Sequence, residues 1–454
     1  MTLDRRRVLG ILAGWAPTLG VALPAAAAAV TPPAGAGAAL DAGAFGVTPG
    51  RAGPQTGGLQ RALDAAAERG VALSLPAGTI ETGPLTLRPG SRVFGAGPST
   101  RLVRAGAAPV FVAERAPALV IADLTVSGRR SARRPADTAP LVALAGGARL
   151  ALARLNCEGG QGHAISLERC SGTVSDCVLA GAGRAAIFST DATGLEIVDN
   201  VIEDCADNGI LVWRSRTGED GTIVARNRIR RIAAASGGSG EHGNAINLYR
   251  AGGVIVAMNR IEDCAYSAIR ANSASNAQVT ANSCARLGEV AIYAEFAFEG
   301  AVISDNIVDD AASGISITNF DEGGRLAVCS GNIVRNLRFR DHADRRGNGI
   351  GAEADTLVTA NVVENAPGAG ITLGWGPHLR NVVASDNIVR RCGTGIAVQV
   401  VAGAGAAVIT NNLIAAPRGR AIQGFEWERP VGGELVAGAP ARWRHLTIAG
   451  NVVA

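Results

Sequence analysis

An internal repeat constrains the fold of this chain more than any other feature of its sequence. One column of the repeat is an asparagine followed by two mostly apolar residues. Its members are Asn200, Asn227, Asn259, Asn282, Asn306, Asn332, Asn361, Asn387, Asn412 and Asn451, and Leu124, Leu155 and Cys177 hold earlier positions of the same column. Asparagine suits a tight turn because it tolerates a left-handed backbone, and stacked amides can hydrogen-bond to one another. The column predicts a stack of similar coils that each turn at the same asparagine.

A second column places a small residue before an isoleucine that begins an alternating strand. Its members are Ile165, Ile187, Ile210, Ile246, Ile269, Ile292, Ile315, Ile350, Ile371, Ile396 and Ile422. The residue two positions after the isoleucine is usually apolar as well, as in Val212 and Leu373. Side chains in a strand alternate with a period of two residues, so successive side chains point to opposite faces. These pairs are therefore predicted to point into a core, with their neighbours pointing outward.

The length of one repeat limits the possible folds. Successive isoleucines are 21 to 36 residues apart, and the three steps from Ile246 to Ile315 are 23 residues each. Such a coil is too short for a strand–helix–strand crossover and shorter than a propeller blade. We therefore predict an all-β fold over 101–454, a single-stranded parallel β-helix of about 12 coils.

Residues 30–100 differ from the repeats and are predicted to form an N-terminal cap and the first coil. A short helix is expected, capped by Thr56 and ended by Gly70. Its apolar face would consist of Leu59, Ala62, Leu63, Ala66 and Ala67. Short strand-like segments separated by glycine and proline follow as far as Phe94. A helix that covers the first coil would keep that end of the stack soluble.

The first 29 residues have the features of an export signal. The segment Asp4-Arg-Arg-Arg-Val-Leu9 resembles the twin-arginine signal. An alanine run at 25–29 supplies the small residues typical of a signal-peptide cleavage site. The apolar stretch at 8–23 is too short and too rich in Gly, Ala and Pro for a membrane anchor. We expect export by the twin-arginine translocase and a periplasmic or secreted mature protein with no membrane anchor.

The repeats resemble the pectate-lyase and polygalacturonase superfamily of right-handed β-helices. The pattern Asp41-Ala-Gly-Ala-Phe45, then Gln60-Arg-Ala-Leu-Asp64 and Leu75-Pro-Ala-Gly78, is similar to the segment that caps the helix in that superfamily. The resemblance covers about residues 38–454 and implies right-handed coils. Leader and repeats together more narrowly resemble the twin-arginine-translocated β-helix repeat proteins, a family of uncharacterised function. The resemblance therefore implies a fold and a location, but no activity.

Charge and cysteine content argue against several functional classes. The net charge is +4 and all 43 basic residues are arginines, so neither a nucleic-acid surface nor a lysine base is expected. The eight cysteines show no metal-ligand spacing. Cys205 and Cys264 share a column two coils apart, about 10 Å, which exceeds disulfide reach. We expect buried thiols, no metal and no cofactor.

The outward positions of the isoleucine strands carry the candidate site. The predicted substrate-binding residues are Trp213, Asn247, Arg250, Asn272, Thr318, Glu353 and Gln399, and the predicted catalytic residues are Arg270, Tyr249, Tyr293, Glu295 and His242. Aromatic rings can cover the apolar CH faces of sugars while fixed polar groups bond the hydroxyls. This face is therefore predicted to bind a polysaccharide.

Two long loops are expected to border this face. The steps into Ile246 and Ile350 are 36 and 35 residues long. Their extra residues are 236–243, with Glu241 and His242, and 341–347, with His342, Arg345 and Arg346. The four coils from Ile246 to Ile315 would form a groove floor with a wall at each end. The alternative is that long loops are merely tolerated on a surface.

The candidate residues permit more than one chemistry. A lyase or C5-epimerase needs a cation for a uronate carboxylate, such as Arg270 or Arg250. It also needs a group that exchanges the adjacent proton, such as Tyr249, Tyr293 or His242. A hydrolase needs two carboxyl groups ~5–9 Å apart, whereas Glu295 and Glu353 would be about 10 Å apart. The segment Gly162-His163-Ala164-Ile165 is similar to a polygalacturonase motif but lacks the paired aspartates of that family.

Three functions remain open. The first is a lyase or epimerase acting on an acidic polysaccharide, which requires Arg250, Arg270, Tyr249, Tyr293 and Glu295 to converge in one cleft. The second is a non-catalytic envelope protein that binds a glycan or another partner along the groove. The third is a structural spacer with a flat, open face. Whether the protein is an enzyme is left open.

Overall fold

The computed structural model describes residues 39–115, 117–128, 138–318, 323–339 and 346–454. These described residues belong to one compact unit. The twin-arginine segment lies outside the described residues, as do His342 and Arg345 of the second long loop. Within the described ranges, no helix is long and apolar enough to cross a membrane.

The chain winds into a parallel solenoid of about 13 turns, in which each full coil contributes a strand to each of three sheets. The first sheet contains Leu40–Asp41, Leu73–Ser74, Arg92–Phe94, Leu119–Ser127, Leu150–Glu158, Gly172–Ser175, Leu195–Val198, Ile223–Ala225, Ile255–Ala257, Ala277–Thr280, Glu299–Ser304, Arg325–Ser330, Thr356–Thr359, Val382–Ser385, Ala407–Thr410 and Leu446–Ala449. The all-β fold class and the stacked coils predicted from the repeat are confirmed.

The second sheet follows the asparagine turn. It contains Gly78–Thr82, Thr100–Arg104, the later parts of Leu119–Ser127 and Leu150–Glu158, Val178–Ala180, Val201–Glu203, Arg228–Ile232, Arg260–Cys264, the early parts of Ser283–Glu295 and Ile307–Thr318, Ile333–Arg335, Val362–Glu364, Ile388–Arg390, Leu413–Ala415 and Val452–Val453. Its strands pair in parallel, one coil to the next, as between Ile333 and Val362.

The third sheet contains the isoleucine column. Its strands are Leu85–Thr86, Phe111–Glu114, Val142–Ala145, Ile165–Glu168, Ala185–Thr190, Asn208–Glu219, Asn244–Gly252, Ile269–Asn272, the later parts of Ser283–Glu295 and Ile307–Thr318, Ile350–Ala352, Ala369–Leu373, Thr394–Gln399 and Ile422–Glu426. The strand Arg429–Glu434 then pairs antiparallel with Ile422–Glu426 as a terminal hairpin. Ile246 and Leu248 are fully buried, as are their counterparts Ile371 and Leu373, which confirms the predicted inward face.

The asparagine column forms a ladder of buried amides. Asn200 donates from its backbone nitrogen and from Nδ2 to Oδ1 of Asn227, at 3.0 and 2.9 Å. The same pair of bonds recurs down the column as far as Asn412 and Asn451. The expected left-handed backbone falls one residue earlier, for example on Asp199 and Arg226, because the amide must point inward to meet its neighbour. The stacking was predicted correctly, and the position of the left-handed residue was wrong.

The N-terminal helix spans Thr56–Glu68 and buries Leu59, Ala62, Leu63 and Ala66. Short 3₁₀ turns lie at Ala42–Phe45, Gly97–Ser99 and Gly376–His378. Gly70 has a φ of 65°, as a helix-ending glycine should. Thr56 is the first helical residue and not the cap, because its Oγ1 accepts a 2.7 Å bond from the backbone of Gly83. Thr56 therefore fastens the helix to the first coil.

All eight cysteines are free and buried. Cys205 and Cys264 point into the core, as the sequence predicted. Burial raises the pKa of the Cys177, Cys205 and Cys284 thiols to about 12. These thiols are small core residues that remain protonated at neutral pH.

Candidate functional site

The predicted site residues of the third sheet lie on its outer face, but most of them are covered. Asn247, Arg270, Glu295, Glu353 and Gln399 each retain no more than 8% exposure. Trp213, Tyr249 and Asn272 are half-buried. The outward direction of these side chains was therefore predicted correctly, and loops and neighbouring side chains cover most of them.

The loop at 236–243 covers the middle of this face. The Asp207 carboxylate holds the loop through the backbone nitrogen and hydroxyl of Ser236, both at 2.8 Å. The carbonyl of Gly240 accepts a 2.7 Å bond from Nδ2 of Asn247, and a Cβ at Gly240 would lie 3.8 Å from Cζ of Arg270. The loop predicted to be a wall is a cover over the Asn247 and Arg270 coils.

A buried ionic cluster lies beside this loop. Arg270 contacts Glu295 through Nε at 2.6 Å and Nη2 at 2.9 Å, and Glu289 through Nη1 at 3.3 Å. Its guanidinium also lies 4.5 Å from the ring centre of Tyr293. Burial opposes the charge of Arg270, but the surrounding groups, led by the charge and hydrogen bonds of Glu295 and including Glu289, together raise the guanidinium pKa. Arg270 is thus engaged by internal carboxylates.

A row of aromatic side chains runs along three successive strands of the third sheet, beside the 236–243 loop. Phe188, Trp213 and Tyr249 follow one another on successive coils, with ring centres 5.4 and 5.7 Å apart. Arg250 stacks 4.7 Å from the Tyr249 ring and donates to the carbonyl of Ser215 at 3.3 Å. Trp213, Tyr249 and Arg250 are therefore brought together, while Arg270 and Glu295 form their cluster on the following coils.

A small pocket of about 100 Å³ contains the two histidines discussed above, His163 and His242, with Arg184, Asp207 and Glu241. Nδ1 of His163 accepts a 3.2 Å bond from the backbone of Ala185. Burial, followed by the nearby charge of Arg184, lowers the pKa of His163 to about 4. His163 is neutral at physiological pH, and His242 lies in this pocket and not with Arg270.

This lowered pKa predicts acid-sensitive folding. A histidine in the unfolded chain titrates near 6.5, so the unfolded state binds more protons than the folded state between about pH 6.5 and 4. Stability should therefore fall as the pH falls through this window, by up to about 3 kcal/mol from His163. His163→Asn, which keeps a hydrogen-bond acceptor, should flatten the pH profile of urea unfolding. An unchanged profile, or the same flattening in a distant His445→Gln control, would contradict this assignment.

A cleft of about 940 Å³ lies further along the same face. Its floor is built from small and hydroxyl-bearing residues, namely Ser313, Ser316, Gly351, Thr372, Thr394 and Ala397. Phe339, Arg346, Asn348 and Pro367 border it on the side before the strands, and Glu353, Trp375, Gln399, Phe425, Trp427 and Glu428 on the side after them. The groove expected between Ile246 and Ile315 is thus displaced toward the C-terminal coils, because the 236–243 loop covers the earlier ones.

Two tryptophans form the rim of this cleft. The rings of Trp375 and Trp427 meet edge to face with centres 5.5 Å apart. Arg346 stacks 4.8 Å from the Trp375 ring and pairs with Glu428 at 2.6 Å. Trp427 is 46% exposed and has a φ of 58° at the turn of the terminal hairpin. The rim thus presents aromatic surface and one guanidinium to the cleft.

Gln399 fixes the position of Trp427. Its side-chain amide donates to the Trp427 carbonyl at 2.8 Å and accepts from the Trp427 nitrogen at 2.9 Å. Gly376 packs against the same ring, since a Cβ there would lie 2.3 Å from it. Gln399, a predicted substrate-binding residue, thus holds the rim through its side-chain amide.

Of the predicted site residues, Tyr293, Thr318, Glu353 and Gln399 line the large cleft. Oγ1 of Thr318 is buried and has no hydrogen-bond partner among the described residues. The five residues that a lyase or epimerase was expected to bring together do not share this cleft. Sequence reasoning missed Trp375 and Trp427, because they follow Ile371 and Ile422 by four and five residues, beyond the strand positions that alternation can assign. In the described ranges, no group of three acidic, histidine or cysteine side chains could hold a metal ion.

Comparison with known proteins defines the family. The model of the right-handed β-helix region matches residues 137–229, 163–322 and 217–382, which together span more than half of the chain. The protein therefore belongs to the right-handed β-helix family, which confirms the handedness expected from the resemblance. No curated protein sequence matches the chain.

Solved structures share the fold at low identity. The A-module of the Azotobacter vinelandii mannuronan C-5 epimerase AlgE4 is 15% identical, with a TM-score of 0.44, and the match covers 90% of this chain and 100% of that one. The catalytic unit of a GH87 α-1,3-glucanase from Streptomyces thermodiastaticus is also 15% identical, with a TM-score of 0.44 and coverage of 94% and 70%. Pre-mature gene product 12 of bacteriophage phi29 is 13% identical, with a TM-score of 0.53 and coverage of 83% and 55%. Two of these three proteins are described as acting on polysaccharides, and the likeness itself is one of fold.

Proposed function

We propose that the protein binds a polysaccharide chain in the cleft between Tyr293 and Trp427. The observation that carries this proposal is the pair of tryptophan rings on the rim above a floor of hydroxyl-bearing side chains. Rings supply flat apolar surface for the CH faces of sugars, and the part-exposed Ser316, Thr372 and Thr394 supply hydroxyls for sugar hydroxyls. A cleft that is open along several coils suits an extended chain.

The binding role is favoured over catalysis by the state of Arg270. A lyase or C5-epimerase acting on an acidic glycan needs a guanidinium available to the uronate carboxylate, and Arg270 is engaged by Glu295 and Glu289. Catalysis stays as a second candidate because Tyr293, Glu353 and Arg346 do line the cleft. An absorbance rise at about 235 nm on incubation with a uronic-acid polysaccharide would report β-elimination. Such a rise, abolished by Tyr293→Phe, would establish a lyase.

Export is part of the same proposal. The twin-arginine leader at 1–29 would deliver the folded protein through the twin-arginine translocase to the periplasm or beyond. The free and buried cysteines support folding in a reducing compartment before export. Recovery of the mature protein only from the cytoplasm of a cell with an active translocase would overturn this part.

Binding should depend on the rim tryptophans. Trp427→Ala and Trp375→Ala each remove a ring from the cleft, so each should weaken binding by about 10- to 100-fold, the equivalent of about 1.4 to 2.8 kcal/mol. The measurement is titration calorimetry with the best ligand from a panel of neutral and acidic polysaccharides. Trp213→Ala removes a ring outside the cleft and should leave the affinity unchanged. If only the Trp213 variant loses affinity, the binding site is the aromatic row and not the cleft.

A further inference from the structure

An apolar surface runs along the first and second sheets of five successive coils. Each coil contributes one aliphatic side chain on either side of the asparagine turn. The pairs are Val302 and Ile307, Val328 and Ile333, Leu357 and Val362, Val383 and Ile388, and Val408 and Leu413. Seven of these ten side chains are 36 to 42% exposed, and Val362, Val383 and Val408 are half-buried. We call these ten residues the aliphatic double ladder.

The double ladder is specific to the later coils. Its members stack in register, as Ile333 does on Ile307 and Val362 does on Ile333. The same second-sheet column carries Arg228, Arg260 and Ser283 just before this run, and these polar residues separate it from the two earlier valines, Val178 and Val201. A solvated β-sheet face normally carries polar side chains, and an extended apolar patch on a soluble protein marks an interaction site.

A charged column borders the double ladder and alternates in sign. Two residues after the first four second-sheet aliphatics stand Asp309, Arg335, Glu364 and Arg390, in register, and Ala415 follows Leu413. Asp309 pairs with Arg335 at 2.9 Å, and Glu364 pairs with Arg390 at 3.3 Å. If a second copy of this column runs in the opposite direction, each negative residue faces a positive residue and each positive residue faces a negative one.

We propose that the aliphatic double ladder is the contact surface between two copies of this chain, packed antiparallel. A two-fold axis across the solenoid, centred between the coils of Ile333 and Val362, places the four second-sheet positions from Ile307 to Ile388 against the same four positions of the other copy, and Leu413 extends beyond them. Ile333 then faces Val362 of the other copy, and Ile307 faces Ile388. The same operation places Asp309 opposite Arg390 and Arg335 opposite Glu364, so every charge in the bordering column meets the opposite charge.

A second copy is the occupant that these features fit. Coils of one solenoid repeat every ~4.8 Å, so another copy presents an aliphatic pair at the same spacing in every layer. A parallel arrangement would set the first-sheet ladder against the second-sheet ladder and leave the alternating column without its complement. The surface covers roughly 500 Å² per copy, at the low end of specific interfaces. Association is therefore weak and depends on concentration.

Sedimentation velocity between about 1 and 100 µM tests this proposal, since weak interfaces dissociate in that range. The wild-type protein should shift from monomer to dimer with concentration. Ile333→Asp should keep it monomeric throughout, with an unchanged melting temperature. Val201→Asp, in the same column of an earlier coil, is the matched control and should still dimerise. A wild-type protein that stays monomeric up to the highest concentration overturns the proposal. If that monomer binds phosphatidylcholine vesicles, the occupant of the surface is a lipid membrane and not a second copy.

Cross-linking tests the antiparallel orientation. Ile307→Cys and Ile388→Cys proteins, mixed under mild oxidation, should form a disulfide-linked dimer because these positions face each other. Either variant alone should not, because its own equivalents are separated by about three coils, or ~14 Å, beyond disulfide reach. The native cysteines are buried and should not interfere. Cross-linking of a single variant with itself, and none in the mixture, would overturn the antiparallel arrangement.

Discussion

Asn306→Leu should cost roughly 5 kcal/mol of unfolding free energy, a large share of the 5–15 kcal/mol typical of folded proteins. Oδ1 of Asn306 accepts bonds from the backbone nitrogen and Nδ2 of Asn282, both at 3.0 Å. Its Nδ2 donates to the Val279 carbonyl at 2.9 Å and to Asn332 at 3.0 Å. Leucine fills a similar volume but leaves these buried partners unsatisfied, at about 1–3 kcal/mol each. Urea unfolding measures the loss.

The end of the ladder supplies the matched control. Asn451 accepts the same two bonds from Asn412 and donates to the Ile409 carbonyl at 2.9 Å, but it is half-buried and does not donate to a further ladder asparagine. Asn451→Leu should therefore cost no more than about half as much. Leucine itself is tolerated in this column, since Leu155 occupies an earlier position with no exposure. A loss below about 1 kcal/mol for Asn306→Leu would mean that the amide ladder contributes little to stability.

Arg270→Met should cost about 3–5 kcal/mol at pH 7. The substitution keeps an apolar stem but removes the cation that contacts Glu295 and Glu289, whose side chains are 2 and 0% exposed. A carboxyl group that takes up a proton becomes neutral and is far less costly to bury. The difference in unfolding free energy between the variant and the wild type should therefore become smaller as the pH falls from 7 to 5.

Two further variants make this result specific. Arg346→Met removes a partner of Glu428, which is 66% exposed, and should cost less than about 1 kcal/mol. Combining Arg270→Met with Glu295→Leu removes one of the buried charges and should recover stability at pH 7. A loss for Arg270→Met that is independent of pH would indicate that packing, and not charge burial, explains the effect.

The sequence was sufficient to predict the fold because the same packing and hydrogen-bonding requirements recur in every coil. Ile246 and Leu248 alternate inward as any half-buried strand requires, and ten asparagines in one column can only stack if successive coils stack. The position of the left-handed residue before each asparagine was not accessible from spacing alone. It depends on which way the amide must point to reach the next coil, and that is a property of the stack.

The site was predicted less well because it depends on loops. Alternation identified Tyr293, Thr318, Glu353 and Gln399 on the correct face. It could not show that the loop at 236–243 folds over Arg270, since the direction of a loop is set by contacts such as Asp207 with Ser236. Nor could it find Trp427, whose place is fixed by the Gln399 amide across a hairpin. The roles of the predicted catalytic and binding residues remain predictions for the experiments above.

The buried cysteine thiols can serve as probes of local opening of the individual coils. Cys157, Cys205, Cys264, Cys329 and Cys392 sit in the interior of different coils. Because burial raises the pKa of these thiols and an alkylating reagent attacks the thiolate, a cysteine becomes labelled only when its own coil opens. Pulse alkylation followed by peptide mass analysis would therefore rank the coils by how often each one opens. With no cysteine introduced, it would report whether the solenoid loosens from its ends or around the cleft.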